Sequence, residues 1–265
     1  MEAQDRRRLP RLEANGVTLK WYACITLLFY SLSMTVLQRG LLGIDQQRFG
    51  ELRQMMAGDA RFLVLSSWAV VFQLLGGLGI PVVAFLLVEG FVHTKNYTAY
   101  LLRMLLFALV SEIPFDYAMT GKFFYWGSQN LLFTLAVGLV MLYGLRLFAA
   151  GKGVKALIVL AAAAWCLMLK TQFGLWMILL IAVYYLMYDR REKLLVGGIL
   201  SLAYVSAPLS GFVLKRYNNQ LGPHPRKYVF YTLYPTHWLL LSLITHTLTK
   251  YMVKRNFRRG DENRP

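Results

Sequence analysis

The stretch YTAYLLRMLLFALVSEIPFDYAM, residues 97–119, decides the fold. It is long enough to cross the roughly 30 Å hydrocarbon layer as a helix rising 1.5 Å per residue. Yet it carries Glu112 and Asp116, with Pro114 between them. A carboxylate at mid-membrane costs roughly 3 kcal/mol even on lenient insertion scales, so other spans must supply compensating partners.

Similar apolar runs recur outward from this one in both directions. The 265-residue chain is 57% hydrophobic and only 16% charged, too few charges for a soluble domain of this length. No short alternating segments of a membrane barrel are seen. The reading is an all-α, polytopic transmembrane bundle of about eight spans, at 20–37, 65–91, 97–119, 129–149, 154–170, 172–188, 194–213 and 229–252. Basic segments at 1–19 and 253–265 flank this transmembrane domain, 20–252. The first segment is too polar for a secretory signal, so the chain is expected to insert through its own first span. The second span runs through QLLGGLGIP, 73–81, whose glycines and proline predict a broken helix packed against protein.

The net charge of +16 does not indicate nucleic acid, because the basic residues are scattered between apolar spans. They report orientation and anionic headgroups instead. Arg6, Arg7, Arg8, Arg11 and Lys20, then His93 and Lys95, Lys152 and Lys155, Arg190, Arg191 and Lys193, and the tail Lys254, Arg255, Arg258 and Arg259 all fall on one side of eight spans. Both termini are therefore expected in the cytoplasm. The loop 214–228, with Lys215, Arg216, Arg226 and Lys227, breaks this pattern: it binds something anionic outside, or the span count fails near the end. Cys24 and Cys166 lie in apolar runs as packing residues, and no metal-ligand cluster, phosphate loop or nucleophile elbow is present.

Two polar sets stand out. By helical rise Glu112 lies about 6 Å beyond the midpoint of its span, and Asp116 near the outer boundary as a solvated helix end. Candidate partners at similar depth are Gln129, Asn130, Thr134 and His237. A buried carboxylate beside an imidazole suits general acid–base chemistry, and an interhelical hydrogen-bond clamp is the structural alternative. At the other end stand Glu89 and His93, one turn apart, with Lys95 and Arg103. They form either an anion pocket for a phosphate-bearing ligand or, through Glu89 and Arg103, a structural ion pair. His246 and Lys250 suit an interface position.

The stretch IPVVAFLLVEGFVHTKNYTAYLLRMLLFALVSEIPFDYAM, then QNLLFTLAVGL, and the late KYVFYTLYPTHWLLL resemble the TraX family, named for the pilin acetylase of conjugation systems. The resemblance is close over about 70–140. It implies a multi-pass protein of the bacterial inner membrane that transfers an acetyl group from acetyl-CoA to an acceptor amine or hydroxyl on a pilin-like peptide, a sugar or another molecule. By motif match Glu89, His93 and Thr94 occupy the EGxxHT positions, Glu112 and Pro114 the SExPF positions, Asn130 and Thr134 the NxxFT positions, and Tyr234, Pro235 and His237 the last motif. Family members carry an Asp-His pair in the first span where this chain has Tyr30 and Ser31, and an arginine where it has Gly77.

The expected site therefore has His237 as base, Glu112 orienting it and Asn130 donating to the developing oxyanion. Lys95, His93 and Arg103, ordered by Glu89, would hold acetyl-CoA. A family member without catalysis, acting as a membrane partner subunit, and a small-solute transporter are the rival readings.

Overall fold

The computed structural model describes residues 13–44, 60–148, 151–220, 222 and 228–262, the last ten by their backbone only. Arg6, Arg7, Arg8, Arg11, Arg226 and Lys227 lie outside the described residues, as do the side chains of Lys254, Arg255, Arg258 and Arg259. Helices α1 (Gly16–Leu32), α2 (Ala60–Gly77), α3 (Gly79–His93), α4 (Tyr97–Thr120), α5 (Leu131–Leu147), α6 (Lys152–Met168), α7 (Gly174–Leu186), α8 (Lys193–Ser201), α9 (Ser210–Leu214) and α10 (Val229–Glu262) follow in chain order. The all-helical expectation holds: the described residues include no strand, only isolated bridges between Ala14 and Tyr217 and between Gln129 and Thr171.

The local signals are chemical. Asn15, Asn96 and Asn130 cap α1, α4 and α5, each side chain accepting from a first-turn amide at 2.9 Å. Gly121 ends α4 in the left-handed conformation, with φ 77°. The α2–α3 break falls at Leu78, within GGLGIP as expected, and Pro81 sits in the first turn of α3, where its missing N–H is harmless. α1 continues into a π-helical segment, Ser33–Leu41.

Gly16–Leu41, Ala60–His93 and Tyr97–Thr120 are long and apolar enough to cross a membrane. Leu131–Leu147, Gly174–Leu186 and Lys193–Tyr204 are apolar but shorter. The core packs α3, α5 and α7 around Ile80, Leu87, Leu139, Leu142, Ile178 and Ile181. A second cluster joins α4 to α10 through Phe115, Met119, Trp238 and Leu241. Gly76 sits against the backbone and Cβ of Tyr30, and Gly79 against Thr26, so these glycines serve close helix packing, as expected.

The expected span at 194–213 does not cross the bundle. Its entry is tied to the end of α7, where Lys193 Nζ donates to the Tyr188 carbonyl at 2.7 Å. Deep in the bundle it turns at Val205, which has φ 54°. There the Ser206 hydroxyl donates to the Leu74 carbonyl, and the Tyr204 hydroxyl donates to the Phe173 carbonyl at 3.1 Å. The chain then returns through α9 to the end it left. The Ala14 amide donates to the Arg216 carbonyl at 2.9 Å, the Asn218 amide to Ala14 at 3.0 Å, and the Tyr217 hydroxyl to Glu89 at 3.3 Å. The segment is a re-entrant hairpin.

This changes the direction of the last helix. α10 starts where α1 starts, with Phe230 5.2 Å from Trp21 between ring centres and beneath Lys20 Nζ. It runs parallel to α1 and α4 and passes Tyr117, whose hydroxyl lies 2.8 Å from His246 Nδ1. Gly40 faces Leu248 there. Residue 14 and the His246 turn of α10 thus lie towards opposite ends of the bundle; the termini themselves lie outside the described residues. The loop carrying Lys215 and Arg216 lies at the end where α1 begins.

Candidate functional site

Glu112, two-thirds of the way along α4, is held from α5. The Asn130 side-chain amide donates to Glu112 Oε2 at 2.5 Å, and the Asn130 backbone N–H reaches the same oxygen at 3.2 Å. Asn130 is wholly buried. Its Nδ2 also donates to the Ala108 carbonyl at 2.8 Å, and its Oδ1 caps α5. One residue therefore begins a helix, ties it to α4 and fixes a carboxylate. Glu112 Oε1 is left buried without a hydrogen-bond partner among the described residues. A buried polar atom in that state needs an explanation, and an acceptor's N–H or O–H is one.

Asn130's amide hydrogens are both engaged, so donation to an oxyanion would require release of Glu112 or Ala108. Thr134 forms a separate tie, its hydroxyl donating to the Gln172 carbonyl at 2.6 Å. Asp116 is not a solvated helix end. It is 2% exposed, and its Oδ2 accepts from the Tyr125 amide at 2.7 Å, pinning the α4–α5 loop.

The network continues onto α10. The Tyr234 hydroxyl accepts from the Leu131 amide at 3.2 Å, next to Asn130, and its ring centre lies 5.1 Å from that of His237. His237 Nε2 faces Ser31 Oγ at 3.4 Å, and Nδ1 faces the Leu233 carbonyl at 3.3 Å. Ser31 and Leu233 thus orient the imidazole, where Glu112 was expected to do so; Glu112 belongs to the same cluster through Asn130 and Tyr234. Ser31 was noticed in the sequence only as a missing histidine. Tyr234 was visible as a motif position but carried no role.

The second set divides. Glu89 is 3% exposed, with His93 Nδ1 2.8 Å from its carbonyl and 3.6 Å from its carboxylate. The hydroxyls of Tyr217, from the re-entrant hairpin, and of Tyr188, after α7, also bond its carboxylate. Arg103 instead hydrogen-bonds Tyr231 of α10, so the expected Glu89–Arg103 pairing is replaced by contacts to separate elements. Lys95 is exposed in the α3–α4 connection. Near Glu89 the ends of α3, α5 and α7 and the start of α6 line an open surface cavity of about 340 Å³. Arg146, Lys155 and Asp189 supply its charges, Tyr185 and Tyr188 its aromatic walls. This chemistry suits a phosphate-bearing ligand with a flat or apolar part. Arg146 was not singled out in the sequence and Lys155 only as an orientation residue, because no local pattern relates them to the end of α7 across the cavity. No group of three or more metal-ligating side chains occurs among the described residues.

The cavity and the Glu112 cluster sit at opposite ends of α5, and sixteen residues from Asn130 to Arg146 correspond to about 24 Å of helix. Leu135, Leu139 and Leu142 fill the intervening face.

Comparison with known proteins places this geometry in context. The family described as TraX protein matches residues 51–245, which contain both polar sets. The chain is 28% identical over 211 residues to the probable fimbrial assembly protein FimC, serogroup H1, of Dichelobacter nodosus, covering 68% of this chain and 85% of the relative. No solved structure matches.

Proposed function

The chain belongs to the TraX family, and on that premise we propose that it is an integral-membrane acyltransferase. It moves an acetyl group from acetyl-CoA to an amine or hydroxyl, and the resemblance to a fimbrial assembly protein favours a fimbrial subunit as acceptor. The observation that carries the reading is Glu112, with one oxygen fixed by Asn130 and the other buried and unpartnered. Such a carboxylate can receive and orient an acceptor, while His237, in the same cluster, takes the acceptor's proton. Asn130 acts by positioning Glu112.

Acetyl-CoA supplies the activated acetyl group. His93, Lys95 and Arg103, with Glu89 holding His93, remain the sequence-derived donor set, and Arg146 and Lys155 extend it into a cavity able to hold the coenzyme's anionic end. The 24 Å between the two regions requires the thioester arm to pass along the bundle, or the helices to part as it enters.

The protein lies in the bacterial inner membrane. Its described elements fit seven crossings and one re-entrant hairpin. The end bearing Lys95, Lys152, Lys155, Arg190, Arg191, Lys193, Lys215 and Arg216 faces the cytoplasm. A second reading, a non-catalytic partner in fimbrial assembly, is favoured by Tyr30 and Ser31 at the Asp-His positions.

The test uses isotopically heavy acetyl-CoA with membranes containing the native protein or Glu112→Gln, following label in protein, glycan and lipid. Label with the native chain that disappears with Glu112→Gln supports acyl transfer and identifies the acceptor class. Unchanged labelling by Glu112→Gln removes this carboxylate from the mechanism.

A further inference from the structure

The contact between Ser31 and His237 has chemical content beyond packing. His237 Nδ1 lies 3.3 Å from the Leu233 carbonyl, which can only accept, so that nitrogen carries the hydrogen. The lone pair then sits on Nε2, the atom facing Ser31 Oγ at 3.4 Å. In the resting geometry the Ser31 hydroxyl donates to the Leu27 carbonyl at 3.0 Å, and a rotation about its side chain would redirect it to the imidazole. Hydroxyl, base and backbone orienter are the three parts of an activated nucleophile, whose contacts are commonly loose before substrate binds. Ser31 is 3% exposed, so water competes little for its hydroxyl. Next to them Trp238, its ring centre 4.9 Å from that of His237, directs a buried Nε1–H towards Tyr234 without completing a hydrogen bond.

Accepting acyl transfer as the function, we propose that Ser31 is a catalytic nucleophile and carries the acetyl group as an ester between donor and acceptor. Ser31 Oγ attacks the thioester carbonyl carbon while its proton passes to His237 Nε2. The C–S bond breaks, and His237 returns that proton to the leaving thiolate. In the second half the acceptor amine attacks the Ser31 ester and gives a proton to Nε2. The C–Oγ bond breaks, and Oγ recovers the proton. The sum is thioester plus amine giving amide plus thiol, with no redox partner.

Two readouts test this on the purified full chain in nanodiscs. Incubation with acetyl-CoA without acceptor should leave one acetyl group on the peptide containing Ser31. Ser31→Ala and His237→Ala should abolish it, and Ser31→Cys should give a hydroxylamine-labile thioester. Transfer by Ser31→Ala should fall about 100-fold or more. Independently, a fluorophosphonate probe should label native Ser31, with labelling lost in His237→Ala. Size-exclusion profiles establish that each variant is folded. Transfer by Ser31→Ala at the native rate overturns the nucleophile while leaving the acyltransferase reading intact. Labelling of Ser31 that depends on His237, without acetyl transfer to any acceptor, supports the nucleophile and overturns the acyltransferase reading. Absence of both acetyl-Ser31 and probe labelling overturns the proposal.

Discussion

Glu112 and Asn130 concentrate the energetic question at the scale of single residues. Glutamine at 112 keeps a carbonyl where Oε2 accepts from Asn130, so the fold should persist while transfer falls to background; heavy-acetyl incorporation measures it. Alanine at 130 is a different lesion, because it strips the α5 cap and two ties to α4 together. A charge-assisted hydrogen bond is worth about 1.5–3 kcal/mol, so Asn130→Ala should lose roughly that much thermal stability in detergent, plus about 1 kcal/mol for the cap. A double-mutant cycle with Glu112→Ala should show coupling of about 1–3 kcal/mol, whereas additive effects would mean that the pair does not interact. At the opposite end, Arg146→Gln with Lys155→Gln should raise the KM for acetyl-CoA about tenfold with kcat little changed, as for removal of uniform binding. An unchanged KM would exclude that cavity from donor binding.

Among the elements, the broken helix was legible and the re-entrant hairpin was not, for opposite physical reasons. Glycine and proline carry their constraint in their own backbones, so GGLGIP announced a break and close packing without reference to any neighbour. Gly76→Ala should therefore destabilise the protein by about 1–3 kcal/mol, the usual cost of overpacking, because its added Cβ would lie 2.4 Å from that of Tyr30; a thermal-shift assay checks this. Residues 194–213 have the length and apolarity of a span. What reverses them is tertiary: the Ser206 hydroxyl on Leu74, Tyr204 on Phe173, and Tyr217 on Glu89, between partners more than thirty residues apart in chain order. Only the basic residues after the hairpin hinted at it, by standing on the wrong side of an eight-span count. The candidate site divides similarly. Glu112 and His237 were conspicuous because ionisable groups are costly in apolar runs, but the Ser31–His237 contact joins two parallel helices that no local pattern relates.

At the scale of the whole molecule, the hairpin sets the direction in which α10 runs relative to α1. Contacts of Ala14 with Arg216 and of Lys20 with Phe230 place the starts of α1 and α10 at one end, and His246 on Tyr117 shows α10 running towards the other. On the proposed orientation, with the basic connections in the cytoplasm, α10 would carry the segment bearing Lys254, Arg255, Arg258 and Arg259 towards the periplasmic face. This opposes the usual bias of such charges. The bias is a statistical preference set during insertion, however, and five basic positions in the described connections at 190–216 already weigh for the N-terminal end. A reporter active only in the periplasm, fused after residue 265, should therefore be active, and the same reporter in the loop near 216 should be inactive. Activity at 216 without activity at the C-terminus would restore the eight-span arrangement and place His237 on a helix running the other way. Because the Ser31–His237 contact depends on α1 and α10 being parallel, that result would dismantle the site as well as the topology.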